Sequence, residues 1–405
     1  MSWVDPLVAL SAFADEPWTA LLLSDGAPGA DRSFLFRDPA RTLNLPPDAP
    51  DPEAAIRAFL AEATGTVLGL AAYELGARFE GLDLPRDPDW PDLILADYPG
   101  WLVFDHATRT VTPHGPAVDW PLASVAVTPS GGDFTPDAPP DRYEAAVAEV
   151  VDRIGRGDLF QANIAQSWSG RAEPFAAFAR LVETSPAPLA AYWRLPARAL
   201  VSHSPERFLA VEGRRVRTRP IKGTRPRSAD PVEDVALRAD LEASAKDRAE
   251  NLMIVDLMRN DLSRVCRPGS VEVTALNAVE AFPHVWHLVS TVEGDLAEGR
   301  DLAALVAATF PPGSITGAPK HQAMRVIAEL EARPRGPWCG SLVRVDPDGG
   351  LDSSVLIRSA AFVQDETGWR WTAKAGAGIT ADSDPVQERL ETEAKIAGLR
   401  AALST

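Results

Sequence analysis

The order of strand-like and helical segments constrains the fold of this chain more than any other feature of its sequence. The two kinds of segment are mixed without a strict alternation of strand and helix, and several strands follow one another closely enough to form hairpins. A parallel sheet built from βαβ units would show that alternation. The sequence therefore favours an α+β fold with antiparallel or mixed sheets.

Proline-rich connectors divide the chain into two parts. Proline interrupts helices and strand pairing alike, and prolines cluster in segments 44–52, 84–91 and 135–140. The last cluster precedes a helical pattern, so we predict a boundary near residue 138, between a β-rich part (1–138) and a second part (139–405). In the second part the patterns predict one long helix at about 235–264, one strand at about 354–363 and a terminal helix from Pro385.

Charge and cysteine content exclude several classes of function. The 405 residues include 40 Lys and Arg against 57 Asp and Glu, a formal net charge of −17. Nucleic acids and anionic membranes need a basic surface, so we expect neither as a partner. No apolar run reaches the roughly 18 residues of a membrane span, and no basic region of a signal peptide is found. Two cysteines are too few for a disulfide framework and suit a reducing cytoplasm, where we expect the protein to be located.

A basic segment stands out against this acidic background. Residues 214–227, RRVRTRPIKGTRPR, hold six arginines and one lysine. One interpretation is a solvated strand whose arginines form local ion pairs. The other is an anion-binding strand and turn, because guanidinium groups match carboxylates and phosphates. Lys222 lies between Arg219 and Arg225, and neighbouring cations would lower the pKa of its amine and make it a nucleophile.

Glutamates on two helices permit two interpretations. Glu250 flanks an apolar run of the long helix, and the terminal helix places Glu388 and Glu391 on one side. They could form a solvated face, in which Glu391 pairs with Lys395 one turn later. They could instead bind Mg²⁺, which takes few carboxylate oxygens and keeps several waters. Periodicity does not choose between the two.

Two glycine-rich segments resemble nucleotide-binding loops without matching them. Segment 313–320, GSITGAPK, is too short for a Walker A loop and has a proline in the wrong place. Segment 376–381, GAGITA, has the spacing of a dinucleotide fingerprint but lacks the later strand that ends in an acid. We expect no nicotinamide cofactor, and interpret these glycines as places where the backbone closely approaches a small ligand.

Eight segments form an ordered set: 157–163 (GDLFQAN), 204–208 (SPERF), 219–227 (RPIKGTRPR), 250–261 (ENLMIVDLMRND), 287–291 (HLVST), 313–320 (GSITGAPK), 352–358 (DSSVLIR) and 376–384 (GAGITADSD). Together they resemble the chorismate-utilising enzymes, a family that includes component I of anthranilate and of aminodeoxychorismate synthases. The resemblance is dense over 140–405 and thinner before. It implies a large two-sheet chorismate-binding fold with peripheral helices, an active site between the sheets, and 139–405 as the catalytic domain.

The resemblance also implies a site for chorismate, a dicarboxylate, and for Mg²⁺. Glu250 and Glu391 match the family's metal ligands, and Glu388 matches an acidic neighbour that acts through water. Gln161 stands where isochorismate synthases carry a water-activating lysine, which argues against water as the nucleophile. The implied substrate-binding residues are Gln161, Gly223, Thr224, His287, Thr316, Arg358, Gly376, Ala377, Gly378 and Lys395.

Lys222 resembles the aminodeoxychorismate synthase branch, since anthranilate synthases usually have alanine in this turn. The resemblance implies that the Lys222 amine attacks ring carbon 2 while Glu206 protonates the departing 4-hydroxyl. Ammonia would then add at carbon 4 and give 4-amino-4-deoxychorismate, the precursor of 4-aminobenzoate and folate. No glutaminase-like Gly-x-Cys-x-Gly segment is found, so ammonia would come from solution or from a separate glutamine amidotransferase subunit.

Two alternatives stay open. The first is an anthranilate synthase component I that carries lysine at position 222. The second is a weakly catalytic subunit whose main task is to dock a glutaminase, which Arg344 motivates. Pro312, Trp338 and Arg344 depart from the residues usual in the family around the enolpyruvyl pocket.

Overall fold

Antiparallel strand pairing dominates the structure, a computed structural model that describes residues 3–25, 31–46, 48–116, 120, 132–184, 187–282 and 285–404. In this part of the chain the helices are α1 (Pro6–Ser11), α2 (Pro52–Ala61), α3 (Leu75–Phe79), α4 (Pro140–Gly155), α5 (Pro174–Thr184), α6 (Pro231–Ala243), α7 (Ala245–Ser263), α8 (Leu302–Thr309), α9 (Lys320–Glu331) and α10 (Pro385–Leu403). A single 3₁₀ turn at Gly313–Ile315 precedes α9.

The strands form two sheets, which we call sheet I and sheet II. Sheet I contains β1 (Ala20–Leu23), β2 (Arg32–Phe36), β6 (Trp101–Asp105), β7 (Thr110–His114), β8 (Thr135–Pro136), β9 (Gln161–Arg171), β10 (Leu189–Leu195), β11 (Arg198–Ser204), β17 (Gly317–Ala318), β20 (Ser359–Asp365) and β21 (Gly368–Ile379). Sheet II contains β3 (Arg41–Asn44), β4 (Thr66–Ala71), β5 (Leu93–Tyr98), β12 (Arg207–Glu212), β13 (Arg215–Thr218), β14 (Ile221–Pro226), β15 (Glu272–Ala281), β16 (Val285–Asp295), β18 (Ser341–Val345) and β19 (Leu351–Val355). The prediction of an α+β fold with antiparallel sheets is confirmed.

Strands from the first third of the chain extend both sheets. Sheet I runs in the order β17-β9-β21-β20-β11-β10-β1-β2-β6-β7, with β8 beside β9. Sheet II runs in the order β14-β16-β13-β12-β19-β18-β4-β5-β3, with β15 beside β16. Thus β1 pairs with β10, and β4 pairs with β18. The predicted boundary near residue 138 falls between β8 and α4, and the division into two folding parts stays a prediction.

Apolar side chains fill the space between the sheets, and helices cover their outer faces. Leu200 of sheet I meets Leu68, Leu342 and Leu356 of the sheet II side in one buried cluster. Outside sheet I, the apolar side of α4 packs with α9 against β9 and β21. On the sheet II side, α7 packs against β14 and β16. Among the described residues, no helix combines the length and the apolar character that a membrane span needs.

Two predicted elements are each divided in the structure. The helix predicted at 235–264 is two helices, because Ser244 has extended backbone and its hydroxyl accepts a hydrogen bond from Asp247 N as the N-cap of α7. The prediction of one strand at about 354–363 was also wrong, because two strands share this range. β19 ends at Val355 in sheet II, and β20 begins at Ser359 in sheet I. An apolar run does not reveal where a chain changes sheets.

The terminal helix begins as predicted. Pro385 is its first residue, and the Asp384 carboxylate accepts hydrogen bonds from the main-chain N–H groups of Val386 and Gln387. This cap fixes the start of α10, and therefore the direction in which its first two turns present their acidic side chains.

Candidate active site

A cavity of about 430 Å³ lies between the two sheets, and residues of α7 and α10 line one side of it. It brings together residues that are far apart in the sequence, including both predicted catalytic residues and all three predicted metal-binding glutamates. The predicted residues that line it are Glu206, Lys222, Gly223, Thr224, Glu250, His287, Arg358, Gly376, Gly378, Glu388, Glu391 and Lys395.

Glu206 and Arg358 reach the cavity from two of the places where the chain passes from one sheet to the other. Glu206 lies between β11 and β12, and Arg358 lies between β19 and β20. Main-chain hydrogen bonds hold these links side by side, since Val355 N donates to Glu206 O (2.9 Å) and His203 N donates to Arg358 O (3.1 Å). Each crossover therefore delivers one charged side chain to the space between the sheets.

Lys222 enters the cavity from an irregular point of β14. The pairing of β14 with β16 shifts register between Lys222 and Thr224, which face Leu288 and His287 in turn. Gly223 sits in this bulge with a φ of +73°, and a Cβ there would lie 2.8 Å from atoms of Leu241 and Asp247. Glycine is thus required for the local path that presents Lys222 and Thr224 to the cavity.

Ser314 connects the two predicted catalytic residues, and sequence reasoning missed it. Its hydroxyl donates a hydrogen bond to Glu206 Oε1 (2.7 Å), and its carbonyl oxygen accepts one from Lys222 Nζ (3.3 Å). The signal was present in the GSITGAPK segment, where we considered a nucleotide-binding loop and close backbone approach to a ligand but not the serine. The arrangement holds an acid and an amine within reach of one ligand without making them an ion pair.

Burial drives Glu206 and Lys222 toward their neutral forms. Removal of water raises the pKa of the Glu206 carboxyl, although the Ser314 hydroxyl and the Lys222 amine oppose the shift. Removal of water also lowers the pKa of the Lys222 amine, and nearby Lys395 lowers it further, while Glu250 opposes. An uncharged amine is the nucleophilic form of lysine, and a protonated carboxyl can donate a proton.

The arginines of the basic segment do not act on Lys222 as predicted, because each is bound elsewhere. Local ion pairing, the first of our two interpretations, is what the structure shows for them. Arg214 donates to the carbonyl oxygens of Leu296 and Ala297, and the ion pairs are Arg215 with Glu272, Glu293 and Asp295; Arg217 with Glu293; Arg219 with Glu280; Arg225 with Asp240 and Asp247; and Arg227 with Asp234. The pKa of Lys222 therefore follows from burial and Lys395.

His287 and Thr224 form a neutral polar pair on the cavity wall. The Thr224 hydroxyl lies 2.9 Å from His287 Nδ1. Burial and the charge of Arg358 lower the pKa of His287 to about 4, so its imidazole is uncharged at neutral pH. Such a pair can orient hydroxyl groups of a ligand without adding charge.

Arg358 provides an anion-binding group in the same cavity. Within the described residues its guanidinium forms no ion pair, and its side chain keeps access to solvent through the cavity. The removal of water around it lowers its pKa, while Glu206 raises it. A guanidinium in this state can accept a carboxylate in a two-point contact.

Two glycines of β21 allow close approach to the neighbouring side chains. A Cβ at Gly376 would overlap Asn163 Oδ1, and one at Gly378 would overlap the amide of Gln161. Segment 376–381, which we compared with a nucleotide-binding loop, is not a loop at these two glycines, because both lie in β21. Asn163 also lines the cavity, and its buried Oδ1 has no hydrogen-bond partner among the described residues, although the sequence did not point to it.

Three predicted residues lie outside the cavity lining. Gln161 is buried beside Gly378, with its Oε1 lacking a hydrogen-bond partner. Thr316 is fully buried, and its hydroxyl donates to Pro312 O (2.9 Å). The Ala377 side chain packs into the cluster beneath α4 and α9, on the other face of β21 from the cavity. Their proposed contacts with substrate stay predictions.

The three glutamates lie at the mouth of the cavity and differ in their partners. Glu391 pairs with Lys395 (2.6 Å), whose Nζ also donates to Gly376 O (3.0 Å). Glu388 accepts a hydrogen bond from the Ser383 hydroxyl (2.7 Å). Glu250 lies 4.0 Å from Lys246. These contacts realise the predicted Glu391–Lys395 pair and leave carboxylate oxygens facing the cavity.

The donor chemistry at the mouth fits a hard divalent cation. Burial and the proximity of Glu391 raise the pKa values of Glu250 and Glu388, whereas the Lys395 ammonium outweighs burial and lowers the pKa of Glu391. Carboxylates that repel one another are a setting in which Mg²⁺ binds. In the described ranges no three acidic, histidine or cysteine side chains already converge at ligand distances.

The residues that depart from the family pattern lie in different places. Trp338 lines the cavity, and its buried Nε1 has no hydrogen-bond partner. Arg344 lies in sheet II, where it pairs with Asp346 (3.0 Å) and stacks on Phe34 with its side chain only 16% exposed. Arg344 therefore offers little surface to a docking partner. Pro312 precedes the turn that carries Ser314.

Comparisons with known proteins agree on one family. The profile of the family described as chorismate binding enzyme matches residues 27–401. Aminodeoxychorismate synthase component 1 of Klebsiella aerogenes is 38% identical over 430 aligned residues, which cover 95% of this chain and 94% of that protein. Anthranilate synthase component 1 of Streptomyces coelicolor is 37% identical over 398 residues, which cover 87% and 77% respectively.

A solved structure shows the same architecture. The crystal structure of anthranilate synthase component I from Streptococcus pneumoniae superimposes with a TM-score of 0.81, at 28% identity, over 91% of this chain and 92% of that one. The resemblance drawn from the eight sequence segments is thereby confirmed. Relatives of both the aminodeoxychorismate and the anthranilate type are found at similar identity.

Proposed function

The chain belongs to the chorismate binding enzyme family and is a chorismate-utilising enzyme, and from this membership we propose that it is component I of an aminodeoxychorismate synthase. In this reaction chorismate and ammonia give 4-amino-4-deoxychorismate and water, and the enolpyruvyl group stays on the ring. Component I would obtain ammonia from a separate glutamine amidotransferase subunit.

The observation that carries this proposal is the Lys222–Ser314–Glu206 arrangement. An amine and a carboxyl, both shifted toward their neutral forms, line the same cavity and are joined through one serine. A protein that only bound chorismate would gain nothing from an amine shifted toward its uncharged form beside a dianionic ligand. The arrangement suits covalent catalysis followed by displacement.

We propose the following steps for these residues. The Lys222 amine attacks ring carbon 2, both conjugated ring double bonds shift by one position, and the 4-hydroxyl leaves as water with a proton from Glu206. Ammonia then attacks carbon 4, the two double bonds shift back, and the bond between carbon 2 and the lysine nitrogen breaks. The amine is regained neutral, and the surplus proton of the incoming ammonia returns to Glu206.

The charged groups around Lys222 and Glu206 would orient the substrate. Arg358 would hold the enolpyruvyl carboxylate, and Lys395 would lie near the ring carboxylate. Mg²⁺, when bound by Glu250 and Glu391 with Glu388 behind them, supplies positive charge that neutralises a carboxylate of chorismate. Thr224 and the neutral His287 would contact the ring substituents. Gln161 stands in place of a lysine that would activate water, which supports ammonia as the nucleophile.

Product analysis tests the proposal. The purified chain is incubated with chorismate, Mg²⁺ and ammonium, and products are separated by liquid chromatography while pyruvate is measured with lactate dehydrogenase. We expect 4-amino-4-deoxychorismate without stoichiometric pyruvate. Equal amounts of anthranilate and pyruvate would contradict the proposal and favour an anthranilate synthase component I, which the relatives at 37–39% identity also suggest. No turnover with free ammonium would favour a glutaminase-docking subunit.

A further inference from the structure

A buried arginine outside the cavity lining contacts the turn that carries Ser314. Arg335 follows α9, and its side chain is only 1% exposed. Its guanidinium donates hydrogen bonds to the main-chain carbonyl oxygens of Ile315 (3.1 Å) and Asn163 (2.6 Å). Ile315 directly follows Ser314 in the 3₁₀ turn, and Asn163 of β9 lines the active-site cavity. Arg335 therefore joins the turn to β9 beside the cavity.

The chemistry of these two main-chain groups explains why a guanidinium lies here. One residue further along the turn, the contact with β9 is direct, because Asn163 N donates to Thr316 O (2.9 Å). Ile315 O and Asn163 O are both acceptors and cannot bond to each other, so a side chain that donates in two directions bridges them. The planar fork of a guanidinium provides separate donors, whereas the ammonium of a lysine is a single point.

Neighbouring groups fix the orientation of the Arg335 guanidinium. Glu331, the last residue of α9, accepts two hydrogen bonds from it (2.6 and 3.0 Å). The guanidinium also lies over the rings of Tyr73 and Trp338, 4.6 and 4.9 Å from their centres. The main-chain N–H of Arg335 donates to the buried carboxylate of Glu74 (2.6 Å). The fork is thus held in one direction before any ligand binds.

A second buried cation fastens the ends of the segment that contains the turn. Lys320 Nζ donates to Thr309 O (2.7 Å) and pairs with a carboxylate of α7 (2.6 Å). Thr309 and Lys320 flank segment 310–319, so one ammonium holds the residues on both sides of it together. Ser314 lies midway between these ends, at the point where Arg335 supplies the contact with β9.

We propose that Arg335 is a positioning residue, which holds the Ser314 turn so that the serine hydroxyl reaches the Glu206 carboxyl. This inference rests on the proposed function, in which Glu206 donates a proton. Loss of the bond to Ile315 O would let the turn shift against β9, and the hydrogen bond from Ser314 to Glu206 (2.7 Å) would then lengthen. Arg335 does not line the cavity, so its effect on the reaction passes through the turn.

A double-mutant cycle tests the proposal. Chorismate consumption with ammonium and Mg²⁺ is measured for the parent chain, Arg335→Lys, Ser314→Ala and the double variant. Arg335→Lys keeps a cation beside Glu331 but loses the fork. We expect each single substitution to lower kcat about tenfold, with KM for chorismate within about twofold of the parent value. The double variant should fall no more than about threefold below the slower single variant, whereas independent effects would multiply to about a hundredfold loss.

Hydrogen exchange reads the position of the turn without any reaction. Amide exchange in a peptide that spans 310–319 should rise about fivefold or more in Arg335→Lys. Arg153→Lys is the matched control, because Arg153 also forms two hydrogen bonds to a glutamate of α9, Glu329 (2.6 and 2.9 Å), and neither residue lines the cavity. It should leave both kcat and the exchange of this peptide at the parent values.

The outcomes separate this inference from the proposed function. If Arg335→Lys keeps the parent kcat or the parent exchange, or if the double variant shows the product of the two single losses, the role of Arg335 is wrong and the proposed function stands. If the parent chain makes anthranilate and pyruvate, the proposed function is wrong, and the cycle and the exchange still decide the role of Arg335. Glu331→Gln, which loosens the guanidinium without removing it, must show the same non-additive coupling to Ser314→Ala.

Discussion

The two ends of the active-site cavity use charged side chains in opposite ways. At the buried end, formed by Glu206, Lys222 and Ser314, the acid and the amine meet through a neutral serine and are both shifted toward uncharged forms. At the mouth, Lys395 lowers the pKa of Glu391, and burial and the charge of Glu391 raise the pKa values of its neighbours Glu250 and Glu388. Under the proposed function, this difference assigns bond making to the buried end, and the binding of a dianion and its counter-ion to the mouth.

The largest effect is expected at the buried end from Lys222→Ala. Loss of the nucleophile should lower kcat for amination by about 10³-fold, because covalent catalysis is removed, while chorismate still binds. The measurement is 4-amino-4-deoxychorismate formation with ammonium, alongside a binding titration of chorismate. Lys222→Arg is the control that keeps a cation of similar length, and it should be equally inactive. If Lys222→Ala aminates chorismate at a near-normal rate, the assignment of bond making to the buried end is wrong.

A smaller effect is expected from Glu206→Gln, about 10²-fold in kcat, as for other general acids. The pH profile sharpens the test. The pKa of Glu206 is raised, so its donating form is lost as pH rises through that pKa; the pKa of Lys222 is lowered, so its nucleophilic form is gained as pH rises. The parent chain should therefore show a bell-shaped kcat profile, and the Gln variant should lose the limb that Glu206 causes. A variant that retains both limbs would assign the proton to another group.

The smallest effect is expected at the mouth from Glu250→Gln. Loss of one ligand charge should raise the Mg²⁺ concentration for half-maximal activity about tenfold, with kcat largely restored at high Mg²⁺. The measurement is amination rate against free Mg²⁺. Asp256→Asn on the exposed side of α7 is the matched control, since it removes the same charge from the same helix away from the cavity. A fall in kcat that excess Mg²⁺ does not relieve would place Glu250 in the chemical step.

The sequence predicted the residues of the site better than the contacts between them. Lys222, Glu206 and the three glutamates could be chosen by residue type and by ordered motifs, and they do share one cavity. The contacts between them were not predictable, since Ser314 acts through one hydroxyl and one main-chain carbonyl.

Contacts between residues that are far apart in the sequence limited the prediction of the fold in the same way. Arg219 forms an ion pair with Glu280, which lies 61 residues later, only because the strand order of sheet II brings the two residues together. The change of sheets at residues 356–358 leaves no mark in the apolar pattern, and sequence analysis therefore joined two strands there.

The paired crossovers have a mechanical consequence. Glu206 and Arg358 are carried by links that join the two sheets, whereas Lys222 is carried by sheet II alone. If one sheet shears against the other, the proton donor and the guanidinium shift together, and both change their distance to the amine. The distance between the proposed proton donor and the proposed nucleophile thus depends on the offset between the sheets.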